Sequence, residues 1–327
     1  MAQATRPRTA ATHNPALAVF SAVAATWVFV LVALGAFTTT IGAGMAFPDW
    51  PLSNGSVNPH GWLTNVNMFA EHSHRLSATV MGLLTAILAA WLLAREERPW
   101  LRKLGCWAFA LVVAQGIVGG LRVLLDSVEL TGLQTSLGQV FAMLHACLAQ
   151  AMACVLIAIA LSLSKGWLDR PAPASRSIRR ASLACCAVIF VQLGVAAVMR
   201  HSFAGLAIPT FPWSAPGHHL LPSIWNFKVA INFTHRAIAL VIAVLVIVTF
   251  ASVLRDPTSS RPVRAAASLL ALLVILQIWL GAEIILTYRS VIVTTAHVLV
   301  GALTLVTAFS VAWLAHRDAI EGGAQDA

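Results

Sequence analysis

Charged residues are scarce in this chain of 327 residues. Asp, Glu, Lys and Arg together make up 10% of it, whereas about 25% is usual in a soluble domain. Hydrophobic residues reach 59%, and the mean hydropathy is +0.82. This composition excludes an ordinary soluble enzyme and predicts an integral membrane protein that has the lipid bilayer as a partner.

Cysteine is also scarce, and each of the five cysteines lies within or beside an apolar run: Cys106, Cys147, Cys154, Cys185 and Cys186. The chain contains no CxxC pair, and none of its cysteines lies in a long loop. The sequence therefore gives no sign of a disulfide framework or of a cysteine zinc motif.

Acidic residues number 12 against 21 basic ones, which gives a formal net charge of +9. In a membrane protein an excess of Lys and Arg marks the cytoplasmic loops, so it does not imply nucleic acid as a partner. Almost no acidic residue lies inside an apolar run, which weakens the hypothesis of an ion-coupled transporter.

The long apolar runs are continuous rather than alternating, which favours membrane helices over a β-barrel. Eight such runs are long enough to cross a bilayer: 17–41, 71–94, 104–124, 139–164, 179–200, 231–254, 265–287 and 291–315. The predicted fold class is an all-α polytopic membrane protein with eight transmembrane helices.

The distribution of basic residues predicts the topology. All but six of the 21 Lys and Arg residues lie in the termini or in three connectors, "REERPWLRK", "SKGWLDRPAPASRSIRR" and "RDPTSSRPVR". The positive-inside bias then places both termini in the cytoplasm. Residues 1–16 are expected to form a disordered cytoplasmic N-terminus, and residues 316–327 a cytoplasmic tail.

An internal repeat is visible at an offset of 161 or 162 residues. "GMAFPDWP" at 44–51 matches "GLAIPTFP" at 205–212, "EHSHR" at 71–75 matches "NFTHR" at 232–236, and "QGIVG" at 115–119 matches "QIWLG" at 277–281. Because an even number of spans keeps the orientation, the repeat predicts two tandem, pseudo-symmetric four-helix bundles. The predicted bounds are 17–164 and 179–315, with a cytoplasmic linker at 165–178.

Four histidines stand out because they lie near the outer ends of apolar spans at repeat-related positions: His74, His145, His235 and His297. A polar side chain at such a depth is costly and usually faces the bundle interior with a partner. Two matched pairs favour metal ligation over isolated hydrogen bonds. Six others are expected to be solvated or interfacial: His13, His60, His201, His218, His219 and His316.

The kind of metal centre follows from the number of ligands. Two imidazoles from facing helices suit the iron of a porphyrin, whereas zinc or copper needs three or four protein ligands. Small residues beside the first histidine pair leave room for a macrocycle: Ser77, Ala78, Ala142 and Ala146. The repeat therefore predicts two haem sites, one per bundle, near the outer membrane face.

Haem propionates require basic partners, and six Lys and Arg residues lie at the outer ends of the spans: Arg75, Arg122, Arg200, Lys228, Arg236 and Arg289. Each of them can also be read as a helix-end side chain that reaches the interface. The first candidates for propionate binding are Arg75 and Arg236, which directly follow the predicted ligands. Arg122 and Lys228 are the next candidates.

The two halves differ at one position beside the predicted haem. Glu71 lies three residues before His74 and therefore on the same helix face, whereas its counterpart before His235 is Asn232. Glu71 is either a favourable charge at a helix N-terminus or a group for general base or electrostatic catalysis. If Glu71 is catalytic, the second half, which contains Asn232, would transfer electrons.

Five motifs occur in a specific order over residues 20–315: "GMAFPDWPLSNG", "EHSHR", "MLHACLA", "NFTHR" and "TAHVLVG". With them the chain resembles the haem A synthase family, membrane enzymes that convert haem O into haem A for cytochrome oxidase. The resemblance implies an eight-helix fold of two similar four-helix bundles. It also implies a multi-pass protein of a prokaryotic plasma membrane, with a haem O synthase as the supplier of substrate.

The same resemblance implies roles for individual residues. His74 and His145 would flank the substrate haem O, His235 and His297 would ligate a permanent haem b, and Glu71 would be catalytic. The reaction would oxidise a porphyrin methyl group, through a hydroxymethyl group, to a formyl group. The residues alone leave open an alternative, a di-haem b electron-transfer protein without chemistry on haem.

One departure from the family concerns the first outer loop. Many members carry a cysteine pair there, and one of those cysteines falls where this chain has Ser53. A thiol–disulfide role is therefore not expected here, and Pro48, Trp50 and Pro51 are expected to stiffen the loop instead.

Two glutamine–glycine pairs are expected to serve helix packing. Gln115 and Gln277 are predicted to hydrogen-bond across helices, while Gly119 and Gly281 are predicted to allow close approach of the neighbouring backbone.

Overall fold

The structure is a computed structural model that describes residues 13–132, 135–169 and 174–323. Within these ranges eight helices are long and apolar enough to cross a membrane. They are α1 (Pro15–Thr40), α2 (Val66–Arg95), α3 (Pro99–Leu124), α4 (Leu137–Leu163), α6 (Arg176–His201), α7 (Phe227–Arg255), α8 (Arg261–Leu286) and α9 (Val291–Ala315). The predicted all-α, multi-pass membrane fold is confirmed.

Four short elements were not predicted, because none of them is long enough to show a periodic pattern. They are β1 (Glu129–Leu130), β2 (Thr135–Ser136), α5 (Lys165–Asp169) and α10 (Arg317–Gly323). The two strands pair antiparallel, with Glu129 opposite Ser136 and Leu130 opposite Thr135. The predicted linker and tail thus contain helical turns. Residues 1–12, 170–173 and 324–327 of the predicted terminal and linker segments lie outside the described residues.

Most of the long helices begin earlier than the apolar runs suggested, because polar caps continue the helix past the hydrocarbon segment. The side chain of Asn65 accepts hydrogen bonds from two backbone N–H groups and starts α2 at Val66 rather than at residue 71. Proline at the first turn starts α3 at Pro99 rather than at residue 104. Glu71 consequently lies more than one turn inside α2, so its interpretation as a helix-end charge was wrong.

The long helices make two closed rings of neighbours. Helix α1 packs on α2 and α4, and α3 joins α2 to α4. In the second half α6 packs on α7 and α9, and α8 joins α7 to α9. Helices α1, α4, α6 and α9 also pack across the two halves. This pattern fits two tandem four-helix units, which stay our interpretation of the repeat.

Buried apolar side chains fill the interiors of both halves. One cluster includes Leu88, Leu92, Met152 and Leu156 from α2 and α4. Two others, which include Ile189 and Leu305 in one and Val253 and Val311 in the other, belong to the second half. These clusters fix the helices that carry the four matched histidines.

Candidate functional site

The first histidine pair is formed by His74 of α2 and His145 of α4. The centres of the two imidazole rings lie 6.4 Å apart, and the rings are inclined at 79°. The Nδ1 atom of each ring is buried and makes no hydrogen bond of ordinary geometry. Two half-buried imidazoles, each with a buried and unsatisfied Nδ1, therefore face each other at the predicted position of the first site.

The second pair repeats this arrangement. His235 of α7 and His297 of α9 have ring centres 6.4 Å apart, with the rings inclined at 59°. Their Nδ1 atoms are likewise buried without an ordinary hydrogen bond. The sequence predicted both pairings correctly, since each histidine faces its predicted partner.

This spacing fits one metal atom between each pair of rings. A metal bound at about 2 Å from each imidazole nitrogen requires ring centres roughly 6 Å apart. Among the described residues no group of three or more His, Cys, Asp or Glu side chains is placed to hold a metal ion. The donor set is therefore two imidazoles per site, which suits the axial positions of a haem iron better than a zinc site.

Backbone carbonyl groups lie beside three of the four rings and can orient them. They belong to Leu31, Gln115 and Gln277, and they face His74, His145 and His297 respectively. A histidine that ligates a metal commonly donates its other N–H to such a carbonyl group, which fixes the ring orientation.

Glycines let the same three rings approach the neighbouring helix. A Cβ atom added at Gly35, Gly119 or Gly281 would lie 2.9–3.3 Å from an atom of the adjacent imidazole. Each glycine lies four residues after one of the orienting carbonyl groups. At Gly119 and Gly281 we predicted close approach of a neighbouring backbone, but what lies against them is the imidazole of the proposed ligand.

Glutamine side chains anchor the backbone at three of the histidines. The Nε2 atoms of Gln115, Gln192 and Gln277 donate to the carbonyl groups of His145, His235 and His297 at 2.7–3.0 Å. The predicted cross-helix hydrogen bonds of Gln115 and Gln277 are thus confirmed. Leu31 occupies the position that corresponds to Gln192, so His74 lacks this anchor.

Glu71 is almost fully buried, with 4% of its surface exposed. Its Oε2 accepts the backbone N–H of Phe47 at 3.1 Å, and its Oε1 pairs with the guanidinium of Arg75. Arg122 lies within electrostatic range of both Glu71 and His145. The structure therefore places the carboxylate near two cations, Arg75 and Arg122, and about one helical turn before His74 on α2.

The counterpart Asn232 is equally buried but uncharged. Its Nδ2 donates to the carbonyl groups of Ala204 and Gly205 at 2.9 and 3.0 Å, and its Oδ1 accepts from Arg236 at 3.1 Å. An amide thus occupies the place of the carboxylate in the second half.

Arg75 fastens the first outer loop to α2. Its guanidinium donates to the carbonyl groups of Phe47, Asp49 and Leu52 at 2.6–3.0 Å. We call this set of bonds the first loop clasp. These bonds occupy the Arg75 donors that propionate binding would need, so the structure shows a different use for this residue.

Arg236 makes the corresponding second loop clasp. It donates to the carbonyl groups of Ile208, Thr210 and Trp213 at 2.8–3.4 Å. These three positions lie 161 residues after the three carbonyl partners of Arg75. Of the other predicted propionate partners, Arg122 reaches the carbonyl group of Gly44, and Lys228 is exposed.

His72 is a site residue that the sequence reasoning missed. It is 4% exposed, and its Nδ1 lies 3.2 Å from the hydroxyl of Ser53 in the first outer loop. The edges of Phe47 and Trp62 pack on its ring. Its counterpart in the repeat is Phe233, and this loss of a polar side chain was the signal that could have identified it.

The first outer loop is held without a disulfide, because all five cysteines are free. Ser53 is 2% exposed and bonds His72, and Trp50 covers Gly120, where an added Cβ would lie 2.5 Å from the indole. The predicted stiffening by Trp50 thus has a physical basis in this contact.

Comparison with known proteins identifies one family over most of the chain. The family model described as cytochrome oxidase assembly protein matches residues 18–309 of the chain. The chain belongs to this family.

Three similar proteins carry the name heme A synthase. Heme A synthase of Shouchella clausii is 25% identical over 80% of this chain and 84% of its own length. Heme A synthase of Halalkalibacterium halodurans is 24% identical over 92% of this chain and 98% of its own length. Heme A synthase of Maricaulis maris is 36% identical over a shorter stretch, 32% and 33% of the two chains. The expected resemblance to the haem A synthase family is confirmed.

Proposed function

We propose that this chain is a membrane oxidoreductase that oxidises one methyl group of haem O to a formyl group and so makes haem A for cytochrome oxidase. The observation that carries the proposal is the pair of matched imidazole sites, of which only the first has a buried carboxylate, that of Glu71, one helical turn before a histidine of the pair. The family and the names of its relatives supply the reaction.

The first unit, residues 17–164, would bind the substrate. His74 and His145 would hold the iron of haem O between them, which fixes the macrocycle relative to Glu71. Of the four matched histidines, His74 is the one for which the structure shows no glutamine bond to its carbonyl group. A less rigid ligand suits a haem that must enter and leave.

The second unit, residues 179–315, would hold a permanent haem b through His235 and His297. Both backbones are anchored by glutamine, at Gln192 and Gln277. A bound haem b supplies one-electron transfer between the first site and an electron acceptor. Rigid ligands suit this role because they keep the cofactor in place.

Glu71 would act on the reacting carbon. Written with water as the oxygen source, the change from methyl to formyl releases four electrons and four protons, so positive charge develops at the porphyrin rim. A buried carboxylate can stabilise that charge or accept a proton from the attacking water. The N–H of Phe47 and the Arg75 guanidinium fix both of its oxygens, so no reorganisation is needed.

The proposed membrane topology follows from the excess of Lys and Arg residues in the termini and in three connectors. Both termini would face the cytoplasm of a prokaryotic cell, and both haem sites would lie near the outer face of the plasma membrane. A haem O synthase would supply the substrate. The alternative of a di-haem electron carrier without chemistry on haem gains no support from the relatives.

The test is to express the chain beside a source of haem O, extract the pigments and identify them by mass. The proposal predicts haem A in these cells and only haem O in cells without the chain. If haem O accumulates unchanged although the chain is folded in the membrane, the proposed reaction is wrong.

A further inference from the structure

Three arginines from three different elements converge on the C-terminal end of α1. The guanidinium of Arg200, from α6, lies 2.6 Å from the carbonyl oxygen of Ala36 and 2.7 Å from the hydroxyl of Thr40. Arg289, from the connection between α8 and α9, lies 3.4 Å from the carbonyl oxygen of Thr40. Arg122, from α3, reaches the carbonyl group of Gly44. We call these arginines, together with His201, the seam cluster.

The seam cluster is short of negative charge. None of its arginines takes part in the ion pairs found among the described residues. Arg122 has Asp126 and Glu71 within electrostatic range, but Glu71 is already paired with Arg75. Arg200 is close to another cation, Arg289. The end of a helix contributes only about half a negative charge, so even with Asp126 near Arg122 the cluster holds more positive than negative charge.

The seam cluster also lies between the two histidine pairs. His201 is half-buried and within electrostatic range of Arg122, Arg200 and His145. Arg200 is in turn within range of His297. The cluster therefore connects the surroundings of the first pair to those of the second.

This feature is not part of the repeat. With the offset of 161, Arg200 and His201 correspond to Thr39 and Thr40 in the first half. The same position at the end of α1 is thus neutral, and the end of α6 carries the charge. A cluster that forms once, where the two halves meet, points to a ligand group shared by both sites.

We propose that the seam cluster is a carboxylate-binding site for the propionates of the bound haems, shared between the two units. This inference rests on the proposed function, since it takes haem as the ligand of both histidine pairs. A propionate suits the site because guanidinium groups bind carboxylates through strong, charge-assisted hydrogen bonds. The inference replaces Arg75 and Arg236, whose donors hold the outer loops, as the principal propionate partners.

The test compares haem with a form that lacks the carboxylates. The full-length chain, produced without haem and purified in detergent, is titrated with iron protoporphyrin IX and with its dimethyl ester. The native chain is expected to bind the free acid at least about tenfold more tightly than the ester. Arg200→Gln should remove most of that preference by weakening acid binding alone, and Arg200→Lys should restore part of it.

Two further variants control for folding and for net charge. Arg289→Gln changes an exposed side chain in a connection, so it keeps the test valid if Arg200→Gln does not fold, and it should also lower the preference. Arg255→Gln makes the same charge change at the opposite end of the α7 span and should leave the preference unchanged. An equal loss in Arg255→Gln would overturn the inference.

The outcomes also separate this inference from the proposed function. If a chain that makes haem A binds the acid and the ester equally, the inference about the seam cluster is wrong, whereas the proposed reaction stands. A clear acid preference in a chain that makes no haem A would support the seam cluster and refute the reaction. If Arg200→Gln instead loses co-purified anionic lipid while the acid preference persists, the cluster binds lipid phosphate and the inference is wrong.

Discussion

The two outer loops are fastened to their helices in the same way, but with different chemistry at one point. Arg75 and Arg236 bind three carbonyl groups each, at positions that correspond one by one. Beside Arg75 the partner is the carboxylate of Glu71, and beside Arg236 it is the amide of Asn232.

This difference shows what the fold requires and what it does not. Because an amide completes the second loop clasp, a carboxylate is not needed to build such a loop. Burying an ionisable group is costly even when it is paired. The carboxyl group of Glu71 is therefore better explained by chemistry at the first histidine pair than by packing.

The largest effect is expected from loss of the histidines. His235→Ala or His297→Ala should remove most of the proposed haem b, because one of its two proposed ligands would be lost, whereas His74→Ala should retain it. The bound pigment is measured from the spectrum of the purified protein. Equal loss of haem from variants of either half would refute the division of labour.

Next in size is the effect of opening the loop clasps. Arg75→Gln removes three charged hydrogen bonds and the partner of Glu71, so opening of residues 44–55 should become at least about tenfold more frequent. Hydrogen exchange of the loop measures this opening, and haem A production should fall. Arg236→Gln should loosen residues 205–216 by a similar factor yet affect haem A less. Similar losses of haem A would show that the loops do not differ in function.

A smaller effect should follow from changes beside the histidines. In Gly35→Ala the new Cβ would lie 2.9 Å from the ring of His74, so the ring must move, and turnover of haem O should fall roughly tenfold. In the second half Ala196 corresponds to Gly35, and Ala196→Gly should leave haem b content unchanged. Rates are compared by pigment mass at matched protein levels, and a normal rate for Gly35→Ala would refute the close contact.

The smallest effect concerns acid pH. Burial would raise the pKa of Asp49, but N–H groups of Gly55, Asn54 and Asp49 itself, together with the charge of Arg75, outweigh it and lower that pKa below 3.8. This stabilisation is complete at neutral pH and is lost as the pH falls through the lowered pKa.

The first outer loop should therefore exchange faster below about pH 4, whereas the second loop, with Thr210 at this position, should not. Asp49→Asn serves as the control, since it should remove the pH dependence. An identical acid response of both loops would contradict this account.

Much of the fold was predictable because its signals are local. Eight continuous apolar runs predict eight helices, and the repeat predicts that His74 meets His145 and His235 meets His297. The helix starts were not predictable from hydropathy, since caps such as Asn65 and Pro99 lie outside the apolar runs.

The predictions that failed concern contacts between residues that are distant in sequence. Nothing near Arg75 or Arg236 indicates that loop carbonyl groups occupy their donors. His201 resembled a solvated loop residue, although it is half-buried at the end of α6 and Arg122 approaches it from α3. His72 was overlooked because its partner, Ser53, lies in a loop without periodic pattern.

The central claim is that the two iron sites are alike and that one acidic side chain makes the first of them reactive. The most direct test is Glu71→Gln, in which the amide mimics the second half, analysed by pigment mass and by the spectrum of bound haem b. We expect normal haem b and a fall in haem A production of at least about a hundredfold. Haem A formed at the normal rate by this variant would contradict the claim.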